Sequence, residues 1–204
     1  MSFSGDVEPN ISEVRHNGVN VCPGLTLVSN KYLILILHHH ICISVAIANV
    51  RASKSFPGKY GKKFIIDGRI SDSWTKFYVS ASARYPWVEL ELSNPEMIAR
   101  IEIVNRYDCC GENLKDVVIR AGMNPLPHRV GSGWLTINEQ VGSFKGPSTS
   151  MKTENIHFGK PVKAKYLIIQ IPNDFLQINE VRVFGPSAVP EKGGFNHRNN
   201  QALK

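Results

Sequence analysis

The strongest constraint on the fold is a period of two in hydrophobicity between residues 49 and 185. Val88, Leu90 and Leu92 alternate with Glu89 and Glu91. Because successive side chains of a strand point to opposite faces of a sheet, such a run predicts a strand with one buried and one solvated face. Similar runs occur at residues 101–104, 117–121 and 181–184, and residues 166–171 form a continuous apolar run that ends at Pro172. No stretch of a dozen residues in this region keeps a helical stripe.

Turn-forming residues separate these runs and fix the fold class. Asp67-Gly68, Asn94-Pro95, Gly146-Pro147 and similar pairs bound runs of four to seven residues. Short strands at this spacing build antiparallel sheets that pack as a sandwich or close as a barrel. We therefore predict an all-β, antiparallel β-sandwich over residues 49–185.

The two ends differ from this region. Residues 1–30 form a polar leader, and residues 32–48, preceded by Lys31, are an apolar stretch that ends Ala-Ile-Ala. A basic residue, an apolar core and small residues are typical of a secretory signal, here with cleavage after Ala48, although residues 38–40 place three histidines inside the core. A buried strand is the alternative interpretation. Residues 186–204 are polar and predict a flexible tail.

Composition and charge exclude several functional classes. Of the 204 residues 42% are hydrophobic, which is too many for a disordered chain, and no run reaches 18 apolar residues, which argues against a multi-span membrane protein. The net charge of +7 becomes +8 when residues 1–48 are removed with their two cations and three anions. The Lys and Arg residues are scattered and do not form a basic helix, so nucleic-acid binding is not predicted.

The motifs of common hydrolases are missing. Residues 49–185 contain two histidines, His128 and His157, and neither belongs to an HExxH zinc pair. There is no GxSxG elbow and no phosphate-binding glycine loop. We predict that the protein is not an enzyme.

The adjacent cysteines Cys109 and Cys110 are the most unusual chemical feature. Neighbouring Cα atoms lie about 3.8 Å apart across a trans peptide, below the usual disulfide range, so a Cys109–Cys110 bond closes a strained ring. Strain of this kind tends to occur at functional sites. Such a ring places an apolar sulfur surface beside Arg106 and Asp108. Two free thiols without a role are the alternative.

These residues resemble the F-type lectins (fucolectins), a branch of the discoidin, or coagulation factor 5/8 type C, fold. The string Arg-Tyr-Asp-Cys-Cys-Gly-Glu at 106–112 is the specific part. Blocks shared with the wider fold lie at residues 49–53, 64–68, 86–90, 103–105, 165–172 and 179–185. The resemblance implies a discoidin-like jelly-roll sandwich that binds a glycan without catalysis.

The resemblance also implies a sugar site. In the family a histidine, an arginine and a second basic residue bind the hydroxyls of L-fucose, and the sulfur ring packs on the sugar. Arg106, Asp108, Cys109 and Cys110 match that motif. The second basic residue falls on Asn113, and the histidine falls on Val79. We therefore expect an altered sugar site, with fucose in doubt as its ligand.

A calcium site follows from the same resemblance. Asp67 and Glu180 match the two acidic ligands of the family, and the backbone carbonyls of Phe64, Arg69 and Asn179 complete the oxygen set. Calcium takes six to eight such oxygens. Alternatively, the Arg69 side chain neutralises Asp67 and Glu180 and replaces the ion with a salt bridge.

Together these inferences predict a secreted, calcium-dependent, carbohydrate-binding protein that can form homo-oligomers. The alternative is a discoidin-like adhesion module that binds protein or an anionic membrane surface, favoured by the basic charge. A degenerate domain with a structural role is the third interpretation.

Overall fold

The computed structural model describes residues 43–186, apart from Lys59, Trp74 and Asn173, together with the backbone of three strands nearer the start of the chain. The chain divides into two compact units, Met1–Cys42 with Ser187–Lys204, and Ile43–Pro186. The described strands are β1 Arg15–His16, β2 Val19–Thr26, β3 Ile36–Ile41, β4 Ile47–Ala52, β5 Tyr78–Val79, β6 Trp87–Val104, β7 Val117–Gly122, β8 Glu139–Phe144, β9 Thr153–Gln170, β10 Gln177–Ile178 and β11 Glu180–Phe184. Three short 3₁₀ helices cover Lys62–Ile66, Gly111–Asn113 and Ser132–Thr136.

The first unit contains a small antiparallel sheet in the order β1-β2-β3. Strand β3 includes the three consecutive histidines, which pair with residues 22–24 of β2. The remaining residues of the predicted leader and apolar segment up to Cys42, and the predicted tail after Pro186, lie outside the described residues. The signal and tail interpretations stay predictions.

The second unit is built on one antiparallel sheet in the order β11-β6-β9-β7-β8, with β4 also paired to β6. The pattern of alternate burial follows the sequence: in β7, Val117, Ile119 and Ala121 are buried and the residues between them are half-buried. The inward-facing side chains of β4, β6, β7, β9 and β11 form a single hydrophobic cluster. Its largest fully buried members include Leu90, Leu92, Ile101, Ile103, Ile119 and Leu167. The predicted all-β antiparallel architecture is confirmed.

Two strands are much longer than the four to seven residues predicted. Strands β6 and β9 each run for 18 residues, and β6 continues through the predicted turn at Asn94-Pro95. Their pairing shifts between Glu91 and Glu96, which marks a bulge. Strand β6 pairs with β4 before this bulge and with β11 after it. The turn residues therefore bend the strand without ending it.

The predicted solvated face of β6 is wrong at Glu89, which is only 2% exposed. Arg51 lies directly opposite Glu89 in the pairing of β4 with β6, and its Nη1 is 2.8 Å from Glu89 Oε2. The same guanidinium donates to the carbonyl oxygens of Leu126 and Pro127, both at 2.7 Å. A loop thus covers this face, because Arg51 pairs with Glu89 and at the same time donates hydrogen bonds to the carbonyls of that loop.

The compact unit begins at Ile43, six residues before the predicted boundary at Asn49. The backbone N–H of Val45 donates to the Val183 carbonyl, and the backbone N–H of Ser93 donates to the Ala46 carbonyl, both at 2.9 Å. Strand β4 itself starts at Ile47. Cleavage after Ala48 would cut this strand.

Candidate functional site

The candidate sugar site lies on the loop that follows β6, and the buried Asn105 organises it. Asn105 Nδ2 donates to the carbonyls of Gly111 at 2.8 Å and Thr149 at 3.1 Å. Its Oδ1 accepts the backbone N–H of Arg106 at 2.8 Å. One amide therefore ties both ends of the Cys-Cys segment to the loop before β9.

The structure joins Cys109 and Cys110 in a disulfide, with Cα atoms 3.8 Å apart. Cys110 adopts the left-handed conformation, with φ 58°, and the 3₁₀ turn Gly111–Asn113 starts directly after it. Cys109 is exposed and Cys110 half-buried, so the sulfur ring faces solvent. Tyr107 and Met151, each 42% exposed, are further apolar groups on the same connections.

Gly111 is required by close packing. A Cβ at this position would lie 2.2 Å from the backbone nitrogen of Ser150 and 2.4 Å from the carbonyl carbon of Thr149. Backbone atoms cannot move aside as the end of a side chain can, so the loop must shift if a side chain is added.

We expect Gly111→Ala to lower the free energy of unfolding by about 2–3 kcal/mol or more, because overpacking forces backbone movement. Chemical denaturation measures this change. Gly133→Ala is the control, since a Cβ there meets nothing within 4 Å. Equal stabilities of the two variants would contradict the close packing of Gly111 on Thr149 and Ser150.

Arg106 is held firmly, and its side chain is 10% exposed. Its Nε and Nη2 donate to Asp108 Oδ1 and Oδ2 at 2.7 and 2.8 Å, and Nη1 donates to Gln177 Oε1 at 3.0 Å. Its Cζ lies 4.7 Å from the ring centroid of the buried Phe77. Hydrogen bonds from Arg106 hold the pKa of Asp108 below its usual value. Within the described part of the chain, one N–H on each terminal nitrogen is left for a ligand.

The position that the family reserves for histidine is apolar here. Val79 pairs with Gln177, so the two side chains share a face beside Arg106. Val79 is 5% exposed and offers no hydrogen bond. Asn113 ends the 3₁₀ turn after the sulfur ring and is half-buried. The structure thus groups Arg106, Asp108, Cys109, Cys110 and Asn113 along one connection.

The predicted calcium ligands form a second group, in which Glu180 is 3% exposed. Among the described residues, Glu180 Oε2 is buried and has no hydrogen-bond partner. Burial, and then the charge of Asp67, raise the pKa of Glu180 to about 7, although Arg182 and hydrogen bonds from the backbone of Gly68 and Arg69 act in the opposite direction. A buried carboxylate oxygen without a donor beside a second carboxylate fits a hard cation.

The loop that carries Asp67 is fastened to the strand of Glu180 through Asn179. The buried Asn179 accepts the backbone N–H of Ser71 at 3.0 Å and donates to the Ser71 carbonyl at 2.7 Å. Asp67 Oδ1 accepts the backbone N–H of Arg69 at 3.0 Å. The Arg69 side chain is exposed and forms no ion pair with Asp67 or Glu180 in the described region. The salt-bridge alternative to calcium is therefore not what the structure contains.

Three residues of these sites were not predicted from the sequence in their observed roles. Asn105 fastens the loop, Gln177 holds Arg106, and Phe77 supports its guanidinium. Across the described residues, no group of three or more His, Cys, Asp or Glu side chains is arranged to hold a metal ion, so the expected calcium site relies on two carboxylates and backbone carbonyls. Nor does that region hold a helix long and apolar enough to span a membrane.

The fold and this loop define an antiparallel β-sandwich of the discoidin class. The sequence model of the F5/8 type C domain family matches residues 49–181, and the chain belongs to this family. Within this family, the chain is similar to the F-type lectins.

Fucolectin-5 of Anguilla japonica is 32% identical over 99 residues, which cover 48% of this chain and 49% of that protein. Fucolectin-1 of the same species is 29% identical over 132 residues, which cover 63% of this chain and 67% of that protein. The crystal structure of an F-lectin (fucolectin) from the serum of Morone saxatilis superposes with a TM-score of 0.58 at 26% identity, covering 68% of this chain and 47% of that one. The chain thus spans about half the length of the first of these relatives and of the solved F-lectin.

Proposed function

We propose that this protein is a non-catalytic carbohydrate-binding module whose site comprises Arg106, Asp108, the Cys109–Cys110 ring and Asn113. The observation that carries the proposal is the rigid pairing of Arg106 with Asp108 directly beside an exposed vicinal disulfide. The relatives named fucolectin support it.

The arrangement suits a sugar chemically. The two N–H bonds that Arg106 keeps for a ligand donate to vicinal hydroxyls, and charged donors form stronger hydrogen bonds than neutral ones. Asp108 stays ionised over the working pH range because its pKa is lowered, so it accepts hydrogen bonds. The sulfur ring and Tyr107 offer apolar surface to the C–H face of the sugar.

The ligand is expected to differ from the fucose of the family pattern. Val79 removes one hydrogen-bonding group, and Asn113 replaces a cation with a neutral amide. A site of this kind discriminates through fewer polar contacts, so a saccharide that presents fewer hydroxyls to Arg106 and Asp108 is the favoured class of ligand.

Calcium is part of the proposal. Asp67 and Glu180, with carbonyl oxygens of Phe64, Arg69 and Asn179, would hold the ion. It would neutralise two carboxylates and fix the loop of residues 67–71 to β11.

We also propose an extracellular location, which the vicinal disulfide favours and which agrees with the serum source of the bass lectin. Self-association stays a prediction, which light scattering tests.

The test is a glycan array probed with the full chain, once with calcium and once with a chelator. Binding to a defined saccharide that weakens on chelation is the expected result. Folded protein that binds no glycan on a broad array in either condition would overturn the proposed function.

An adhesion module is the second candidate, and the exposed Tyr107 and Met151 beside the ring are the observation that favours it. Two large apolar side chains on a chain with a net charge of +7 are also suited to an anionic membrane surface. Vesicles of phosphatidylserine distinguish the candidates, because charge-driven binding fades as ionic strength rises whereas hydrogen bonding to a sugar changes little.

A further inference from the structure

A groove of about 380 Å³ opens on a different part of the second unit, between the residues before β6 and the loop after β7. Its lining includes Ser53, Arg84, Tyr85, Trp87, Val130 and Leu135. None of the residues assigned above to sugar or calcium binding lines it. Its volume lies within the range of small-ligand sites.

The groove has fixed walls. One wall is the loop that Arg51 and Glu89 fasten to the sheet through Leu126 and Pro127. Leu126, Leu135 and Ile168 form a small buried cluster under it, against which Trp87 and Val130 pack. The other wall carries Tyr85, whose backbone N–H donates to the Pro172 carbonyl at 2.9 Å.

The conformation of Tyr85 is a second sign of function. Its φ is 55°, a left-handed conformation that costs a residue with a side chain about 1 kcal/mol or more. The chain keeps a large aromatic residue there, and Tyr85 is 37% exposed. Strain at an exposed aromatic residue beside a groove is typical of a ligand contact.

The charge of the groove is positive. Arg84 is exposed, with its Cζ 5.8 Å from the centroid of the Tyr85 ring. No Asp or Glu lines the groove, and Arg84 forms no ion pair with a carboxylate in the described region. The nearby Arg51 is already paired with Glu89. Arg84 is therefore a cation still available to an acidic ligand.

We propose that this groove is a second ligand site, which binds an acidic saccharide, a pyranose bearing a carboxylate or sulfate. Tyr85 and Trp87 contact the apolar face of the sugar, and Arg84 pairs with the anionic substituent. Ser53 Oγ, which already bonds to the Trp87 N–H and the Tyr78 hydroxyl, keeps one lone pair to accept a hydrogen bond from a sugar hydroxyl. Neither the Arg106 site nor calcium is needed for this binding.

Isothermal titration calorimetry of the full chain tests the proposal, with a chondroitin sulfate tetrasaccharide as the probe and chitotetraose as its uncharged counterpart. We expect the sulfated probe to bind at least tenfold more tightly than chitotetraose in about 0.15 M salt. Arg84→Glu should weaken binding of the sulfated probe at least tenfold. Lys160→Glu makes the same change in charge at an exposed position on β9 and should leave its affinity within twofold.

Tyr85→Gly is the second variant, because it removes the whole side chain while glycine adopts the left-handed conformation without strain. It should keep its melting temperature and weaken binding. Arg106→Ala should leave this binding intact, which separates failure of the groove from failure of the site around Arg106. Absence of binding by the wild-type chain, equal losses in Arg84→Glu and Lys160→Glu, or loss in Arg106→Ala would each overturn the proposal.

Discussion

Replacing Arg106 with alanine is expected to lower glycan affinity at least a hundredfold. The substitution removes both N–H bonds offered to the sugar and also releases Asp108 and Gln177, which the guanidinium holds at 2.7–3.0 Å. Asp108 can reach water, so the stability cost should be about 3 kcal/mol, at the lower end for breaking a buried pair. Titration on the best glycan from the array measures the affinity, and denaturation the stability.

Arg106→Lys separates binding from folding. Lysine keeps the charge and much of the contact with Phe77, but a point charge cannot pair in bidentate fashion with Asp108 while donating to Gln177. We expect at least a tenfold loss of affinity with a melting temperature within a few degrees of wild type. Arg182→Lys on β11 is the matched control and should bind normally. An Arg106→Lys variant that binds as tightly as wild type would refute the assignment.

The fold could be predicted because hydrophobic alternation is a local signal. Val117, Ile119 and Ala121 are buried as the pattern of β7 requires. The prediction failed at Glu89, because alternation cannot show that Arg51 and the backbone N–H of Leu126, in a distant loop, bond to this carboxylate. Strand lengths failed for a related reason: Asn94-Pro95 favours a turn locally, but pairing with β9 on both sides of the bulge keeps the strand continuous.

The candidate sites show the same limit. Arg106 and Asp108 are two residues apart, so their pairing follows from the local motif. Gln177 lies 71 residues away from Arg106, and only the pairing of β5 with β10 brings it there. The sequence alone gives no signal for this contact. Asp67 and Glu180 were predicted only through resemblance to a family, since two carboxylates far apart in a chain carry no spacing pattern.

Without calcium, the stability of the folded protein is expected to fall as pH rises from about 4.5 to about 7. The pKa of Glu180 is raised from 4.5 to about 7 in the folded state. Between these values the folded state therefore binds more protons than the unfolded state, which makes the slope of unfolding free energy against pH negative. Burial and the charge of Asp67 cause the shift, and the full loss is of order 3 kcal/mol, or roughly 6–12 °C in Tm.

Calcium is expected to reverse this loss, because the ion pairs with the ionised carboxylate that is otherwise unfavourable. Millimolar calcium should therefore raise the Tm at pH 8 and have little effect at pH 5, where protonated Glu180 is a poor ligand. Glu180→Gln should abolish the calcium effect and reduce the pH slope, since the amide does not titrate and carries no charge. The slope that is left comes from Glu89, because burial also raises the pKa of that carboxyl. Asp72→Asn, at an exposed acid in the next loop, is the control and should keep both. If calcium stabilises Glu180→Gln as much as wild type, the ion binds elsewhere. If the Tm of the wild-type protein does not respond to calcium at either pH, calcium is not part of the function.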